Sequence, residues 1–201
     1  MTWISTIAYR NATGPLKKLY DRIKGPDDEV DNIMLAHSHR PHTMDGHMAL
    51  YKCVLHHPRN SLDKSYLETI GVFVSLLNDC TYCVEHHFAG LRRLLRDDDR
   101  ASQIRAALQD ATPGSAFDGR DLAGLEYAAR LTTDPASLTV DDIEGLRQAG
   151  FDDGQILEIN QVTAYFAYAN RTVLGLGIET EGDVLGLSPG DSSDPGNWTH
   201  Q

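Results

Sequence analysis

The chain has 201 residues, 41% of them hydrophobic and 23% charged, which suits one domain with a substantial core. A formal net charge of −11 excludes the basic surface that non-specific nucleic-acid binding needs. No apolar run reaches membrane-spanning length and no basic-then-apolar leader opens the sequence, so a soluble, cytoplasmic protein with neither nucleic-acid nor membrane partner is expected.

Strand signals are nearly absent and helical periods recur from end to end. "MTWISTIAYRNA" reads as an irregular arm. "TGPLKKLYDRIKG" reads as a short helix capped by Thr13, with Pro15 in its first turn and Gly25-Pro26 as its stop. A second helix is predicted over 29–38. A third, over 44–56, has Thr43 as its cap and ends before Pro58. Ser61 opens a long helix to about Leu77, apolar on every side from Ile70 onward apart from Gly71 and Ser75, which marks it as buried. Asn78-Asp79 interrupts the pattern before a helix over 80–95, and "RDDDR" at 96–100 reads as a solvated helix end or loop. Further helices are predicted over 100–110, 119–132 and 139–149. The last of these is capped by Thr139 with Asp142 at the third position and is closed by Gly150. A final long helix over 154–175 follows Asp152 or Asp153 as its cap, with Ile156, Ile159, Val162, Phe166 and Val173 on its apolar side. "SPGDSSDPGNWTHQ" has the composition of a disordered segment, ordered only where something such as a neighbouring subunit holds it. The expectation is a single all-α domain, a helical bundle over 1–187, with a tail over 188–201.

Three cysteines are too few and odd in number for a secreted disulfide framework. Cys53 reads as a buried small hydrophobe. The other two lie in "ETIGVFVSLLNDCTYCVEHH", residues 68–87. On a helix from residue 80, Cys80, Cys83, His87, Gly90 and Leu94 fall within a sector of about 80°, with Cys83 and His87 one turn apart. Folding the preceding helix back across Asn78-Asp79 brings Glu68 level with His87, both about 12–15 Å from the turn. Gly71 and Gly90 would let helices approach closely there. A carboxylate–imidazole–thiol relay, Glu68 to His87 to Cys83, becomes possible.

Each residue type has a chemical reason. A free thiol with a pKa near 8.5 is mostly protonated at neutral pH, yet only the thiolate is a strong nucleophile. His87 can take the proton, Glu68 can orient the imidazole, and the helix N-terminus adds partial positive charge beside the sulfurs. A sulfenic acid formed on one sulfur finds a resolving thiol on the other. Two alternatives stand beside this. Cys80, Cys83 and His87 could be three zinc ligands, with a fourth from His86 or the 37–57 region, in a non-enzymatic assembly module. Glu68 and His87 could serve as acid and base in a lyase. A thioredoxin-type site is disfavoured because this C-x-x-C follows a buried helix and not a strand.

The pattern E-x11-C-x-x-C-x3-H, here Glu68, Cys80, Cys83 and His87, resembles the active-site motif of the alkylhydroperoxidase D branch of the carboxymuconolactone decarboxylase family. The core of the likeness spans about 45–130. "VDNIMLAHSHRP", "CTYCVEHH" and "LRQAGFDDGQILEINQVTAYFAYANRTVLGLGI" resemble a peroxidase-related subgroup. The resemblance implies an all-helical fold and homo-oligomers, commonly trimers or hexamers. It implies that Cys83 becomes the sulfenic acid, that Cys80 is proton donor and resolving thiol, and that Glu68 with His87 is the relay. Tyr82 stands where better-characterised members carry a histidine between the cysteines. The lactone decarboxylases of the family do not rely on a cysteine pair, so its presence favours the redox branch.

Six histidines crowd one region: His37, His39, His42, His47, His56 and His57. The H-x-H-x-x-H run of His37, His39 and His42 lies in a proline-broken loop with no helix to fix it, so the six read as solvated or interface groups, with a metal site or a contribution to the active-site rim as the alternatives; His86 reads as exposed or at an interface, or as an aid to His87. Arg171 reads as an interface ion-pair partner or an offset to its helix end. The expected activity is reduction of a hydroperoxide through a Cys80–Cys83 dithiol/disulfide cycle. With no Gly-rich strand–turn–helix fingerprint for a flavin or nicotinamide, no cofactor is expected, and the electrons come from an external dithiol such as a thioredoxin-like or lipoyl protein.

Overall fold

Helical periodicity governs the whole architecture. The computed structural model describes residues 2–190, 194 and 197–200. Among these residues nine α-helices and four 3-10 turns form a single all-helical domain, and the one β contact is an isolated bridge between Pro189 and His200. The helices are α1 (Gly14–Ile23), α2 (Asn32–Ala36), α3 (Pro41–Leu55), α4 (Lys64–Leu77), α5 (Thr81–Leu95), α6 (Asp98–Gln109), α7 (Gly119–Thr133), α8 (Val140–Gln148) and α9 (Asp153–Leu176). No described helix is long and apolar enough to cross a membrane.

α4 is the axis of the bundle. Every residue from Tyr66 to Ser75 is buried, as its all-round apolar sequence requires, and it packs against α5, α7 and α9. Asn78 ends it and Asp79 takes the left-handed conformation (φ 55°), a residue type that tolerates this backbone, so α5 returns antiparallel after three residues. Gly71 admits α9. A Cβ there would meet Cε2 of Phe166 at 2.2 Å. Gly90, by contrast, has nothing within 4 Å of its would-be Cβ, so no helix seats on it. Capping boxes open α8 (Thr139 with Asp142) and α9 (Asp152 with Gln155), each satisfying free amides of a first turn.

Several local expectations need correcting. Thr43 lies inside α3, which begins at Pro41 with Arg40 as cap; proline's fixed φ suits that first position and Thr43 bonds back to the Arg40 carbonyl. Ser61 precedes α4, because the Glu158 carboxylate accepts from the amides of Ser61 and Leu62 and leaves Asp63 as the cap. Cys53 is exposed, since Met44, Met48, Tyr51 and Leu55 form the buried stripe of α3 and Cys53 lies off it. The 29–38 segment forms only the short α2.

The C-terminal segment packs onto the bundle. Asn32 holds the Glu179 and Glu181 carbonyls, Arg93 donates to the Leu185 and Gly186 carbonyls, and buried Lys52 donates to the Gly190 carbonyl at 2.6 Å. Trp198 is 4% exposed, with the Arg22 guanidinium 3.9 Å from its ring centroid. Of the tail read as disordered from its composition, Pro189, Trp198 and His200 are buried against the chain itself while Asp194, Asn197 and Thr199 are exposed; residues 191–193, 195, 196 and 201 lie outside the described set.

Candidate active site

Glu68 comes from the middle of α4 and His87 from α5, and the antiparallel return brings them together: Glu68 Oε2 lies 2.7 Å from His87 Nδ1. A carboxylate only accepts, so the proton of this bond sits on Nδ1 and Nε2 is the ring nitrogen open to a proton. Phe166 (centroids 4.6 Å apart) and Tyr51 (6.1 Å) meet the imidazole edge-on and fix its plane. Glu68, His87 and Cys83 line one cavity. Among the described residues no hydrogen bond joins His87 to either sulfur; the relay is assembled as far as its carboxylate–imidazole half.

Cys80 caps the N-terminus of α5 and Cys83 lies in its first turn, both sealed from solvent. The Cys83 thiol is the hydrogen-bond donor to Cys80, which holds Cys80 below its usual pKa; the same bond, with burial, drives Cys83 well above its own. Cys80 is thus the more acidic thiol of the pair. Only Cys83 faces the main cavity, while Cys80 borders a shallow depression with Asp79, Thr81, Glu85 and Arg105.

Asn170 of α9 also belongs here. It is buried, donates to Ser75 Oγ (3.1 Å), accepts from the Asn78 amide (3.0 Å), and lowers both thiol pKa values through hydrogen bonding. A lone amide four residues beyond Phe166 on an apolar helix face is the sequence sign that marks it. Arg171, its neighbour, only returns to the Ala167 carbonyl.

Tyr82, between the cysteines, donates to Asp183 Oδ2 at 2.6 Å and accepts from the Ile33 amide. His86 also contacts Asp183, at 3.2 Å, and is largely buried, not the exposed group its polarity suggests. Asp183, about a hundred residues away in sequence, thus pins the C-terminal segment over the cavity, where Gly186, Leu187, Ser188 and His200 complete the wall. The histidine-rich region divides. His39 and His42 stay exposed, while His47 and His56 are buried, and His47 bridges His37 (3.2 Å) to the Tyr165 hydroxyl (3.1 Å). Among the described residues no three His, Cys, Asp or Glu side chains are arranged to hold a metal ion.

These buried groups set an acid limit on stability. Burial lowers His47 to about 3, His200 to about 4 and His56 well below the ordinary histidine value, while it raises Asp31 to about 7. Each histidine is held neutral in the native state, so its contribution is complete above pH ~6.5 and is lost as pH falls towards its folded value. Asp31 acts in the opposite sense, costing stability as pH rises from about 4 to 7. Three histidines against one carboxyl leave a net loss of roughly 2–3 kcal/mol per pH unit between about pH 6 and 4.5. Urea unfolding across that range checks it; an unfolding free energy flat with pH would contradict the buried, neutral assignment.

Residues 41–127 match the model of the carboxymuconolactone decarboxylase family. No curated protein matches the chain. Among solved structures, an uncharacterized peroxidase-related protein from Silicibacter sp. TM1040 is similar at 28% identity and a TM-score of 0.69, over 77% of this chain and 78% of that one. An alkylhydroperoxidase AhpD core protein, peroxidase-related and from Ralstonia eutropha JMP134, is similar at 23% identity and a TM-score of 0.75, over 90% and 93%. The debrominase Bmp8 in complex with 2,3,4-tribromopyrrole shares the fold at 16% identity and a TM-score of 0.65, over 87% and 84%. Residues 41–127 thus carry the likeness to the carboxymuconolactone decarboxylase family, and the chain has the all-helical fold of the alkylhydroperoxidase D-like proteins.

Proposed function

We propose that the chain is a thiol peroxidase that reduces a hydroperoxide with the Cys83–Cys80 pair. The observation that carries this reading is the placement of Cys83 in one cavity with the hydrogen-bonded Glu68–His87 pair while Cys80 lies behind it. As Cys83 attacks, its proton passes to Cys80 or to Nε2 of His87. The peroxide O–O bond breaks, Cys83 becomes the sulfenic acid, and the alkoxide takes a proton and leaves as the alcohol. The Cys80 thiol then condenses with the sulfenic acid, giving a disulfide and water. An external dithiol returns two electrons and two protons. In this reading Asn170 holds the thiolate, and the protein works as a homo-oligomer, for which Leu157 (59% exposed) and Tyr168 leave an exposed apolar face on α9.

The test is thiol titration before and after one equivalent of cumene hydroperoxide. Loss of two thiols per chain within seconds, restored by dithiothreitol, is expected; thiols untouched over minutes would sink the reading. A second reading is supported by the aromatic walls Tyr51, Tyr82 and Tyr165 and the fold shared with a debrominase. The same dithiol would reduce a bromoarene to the arene, forming the disulfide and releasing HBr, and bromide release separates the two.

A further inference from the structure

The hydrogen-bonding groups of the cavity are not evenly divided between donors and acceptors. Thr43 donates its only hydroxyl proton to the Arg40 carbonyl (2.8 Å), so it accepts from Nδ1 of His37 (2.8 Å). Burial holds His37 and His47 towards the neutral form, so Nε2 of His37 accepts from Nδ1 of His47, and Nε2 of His47 accepts from the Tyr165 hydroxyl. This chain of bonds runs outward from the cavity, and Tyr165 presents only oxygen lone pairs inward. Tyr82 is spent on Asp183 and on the Ile33 amide, and His86 is spent on Asp183 as well.

Asp31 is different. Its carboxyl lines the cavity, is strongly desolvated, and has no hydrogen-bond partner among the described residues. It sits beside His86 and the already satisfied Asp183. No lysine or arginine is among the described residues lining the cavity, so an anionic ligand would meet Asp31 and Glu68 without compensation. The free hydroxyls of Tyr51 and Ser188 supply no charge.

Resting on the peroxidase reading, we infer that Asp31 anchors the hydrogen-bond-donating end, a hydroxyl or N–H, of a neutral substrate whose reacting end lies at Cys83, and that the cavity rejects carboxylate-bearing substrates. A donor placed on Asp31 would satisfy a carboxyl that has no partner among the described residues, and a neutral substrate avoids the repulsion an anion would meet.

At pH 8.5, above the raised Asp31 value of about 7, three probes test this: cumene hydroperoxide, its 4-hydroxymethyl derivative and its 4-carboxylate. Wild type is expected to prefer the hydroxymethyl compound over the parent by about tenfold in kcat/KM, the effect of one hydrogen bond to a charged group, and to turn over the carboxylate worst. In Asp31→Leu the hydroxymethyl preference falls to about one. In the isosteric Asp31→Asn, which keeps an acceptor, the preference survives in part and discrimination against the carboxylate relaxes. An undiminished preference in Asp31→Leu, or a carboxylate turned over as well as the alcohol by wild type, overturns the inference. If wild type consumes none of the three, the peroxidase reading fails. Calorimetric binding of the inert 4-hydroxymethyl-cumyl alcohol then decides the anchor: tighter binding to wild type than to Asp31→Leu supports it, and equal binding refutes it.

Discussion

Cys83→Ser is expected to lose peroxide reduction by roughly 10³-fold or more, the scale of removing an enzyme's nucleophile. Serine at that site keeps the shape but holds its proton, and the Glu68–His87 pair then faces a hydroxyl it cannot ionise at neutral pH. Cys80→Ser separates the steps. Its Cys83 can still attack once, so one sulfenic acid per chain should accumulate and be captured by dimedone, while turnover with dithiothreitol stops. Peroxide consumption and intact-mass spectrometry check both variants. A lyase using Glu68 and His87 as acid and base gives the opposite pattern, with lactone turnover surviving Cys83→Ser. Full peroxidase turnover in Cys83→Ser would move the nucleophile to Cys80, whose pKa the hydrogen bond with Cys83 holds below its usual value.

Gly71→Ala carries the largest expected effect on stability. The added methyl would lie 2.2–2.3 Å from two carbons of the Phe166 ring, which is fully buried. That ring cannot swing into solvent, so α9 must move or the ring must leave its rotamer, at a cost of about 3 kcal/mol, the upper part of the overpacking range. For a domain of this size the unfolding midpoint should fall by roughly 6–12 °C in a thermal melt followed by circular dichroism. Phe166 also packs on His87, so the surviving folded protein should show slower thiol oxidation. A melt unchanged from wild type would mean that α4 and α9 are not in contact at Gly71.

The features that sequence reading found are those that short-range periodicity can carry. The all-apolar run of α4, the break at Asn78-Asp79 and the spacing to His87 fix the level of Glu68, and its carboxylate does meet His87. What stayed hidden depends on partners far along the chain. Nothing near His86 or Tyr82 announces Asp183, about a hundred residues on, and Lys52 reads as a solvent lysine until the Gly190 carbonyl arrives over it. The run His37, His39 and His42 reads as loop because Pro41 breaks the pattern, whereas Pro41 begins α3 and His42 lies in that helix. Gly90 was legible as small but not as a cavity wall, since its facing element is the segment around Gly186 and not a helix.

That segment has an evolutionary consequence. Glu68, Cys80, Cys83 and His87 all fall inside the stretch 41–127 that matches the family, while Asp31, Tyr165, Gly186, Leu187, Ser188 and His200 fall outside it. The cavity wall is therefore drawn from both sides of that boundary, with His47, Tyr51, Tyr82, His86 and Gly90 inside the matching stretch. On the proposed reading, similarity across 41–127 would report the candidate reacting groups and only part of the wall that meets a substrate.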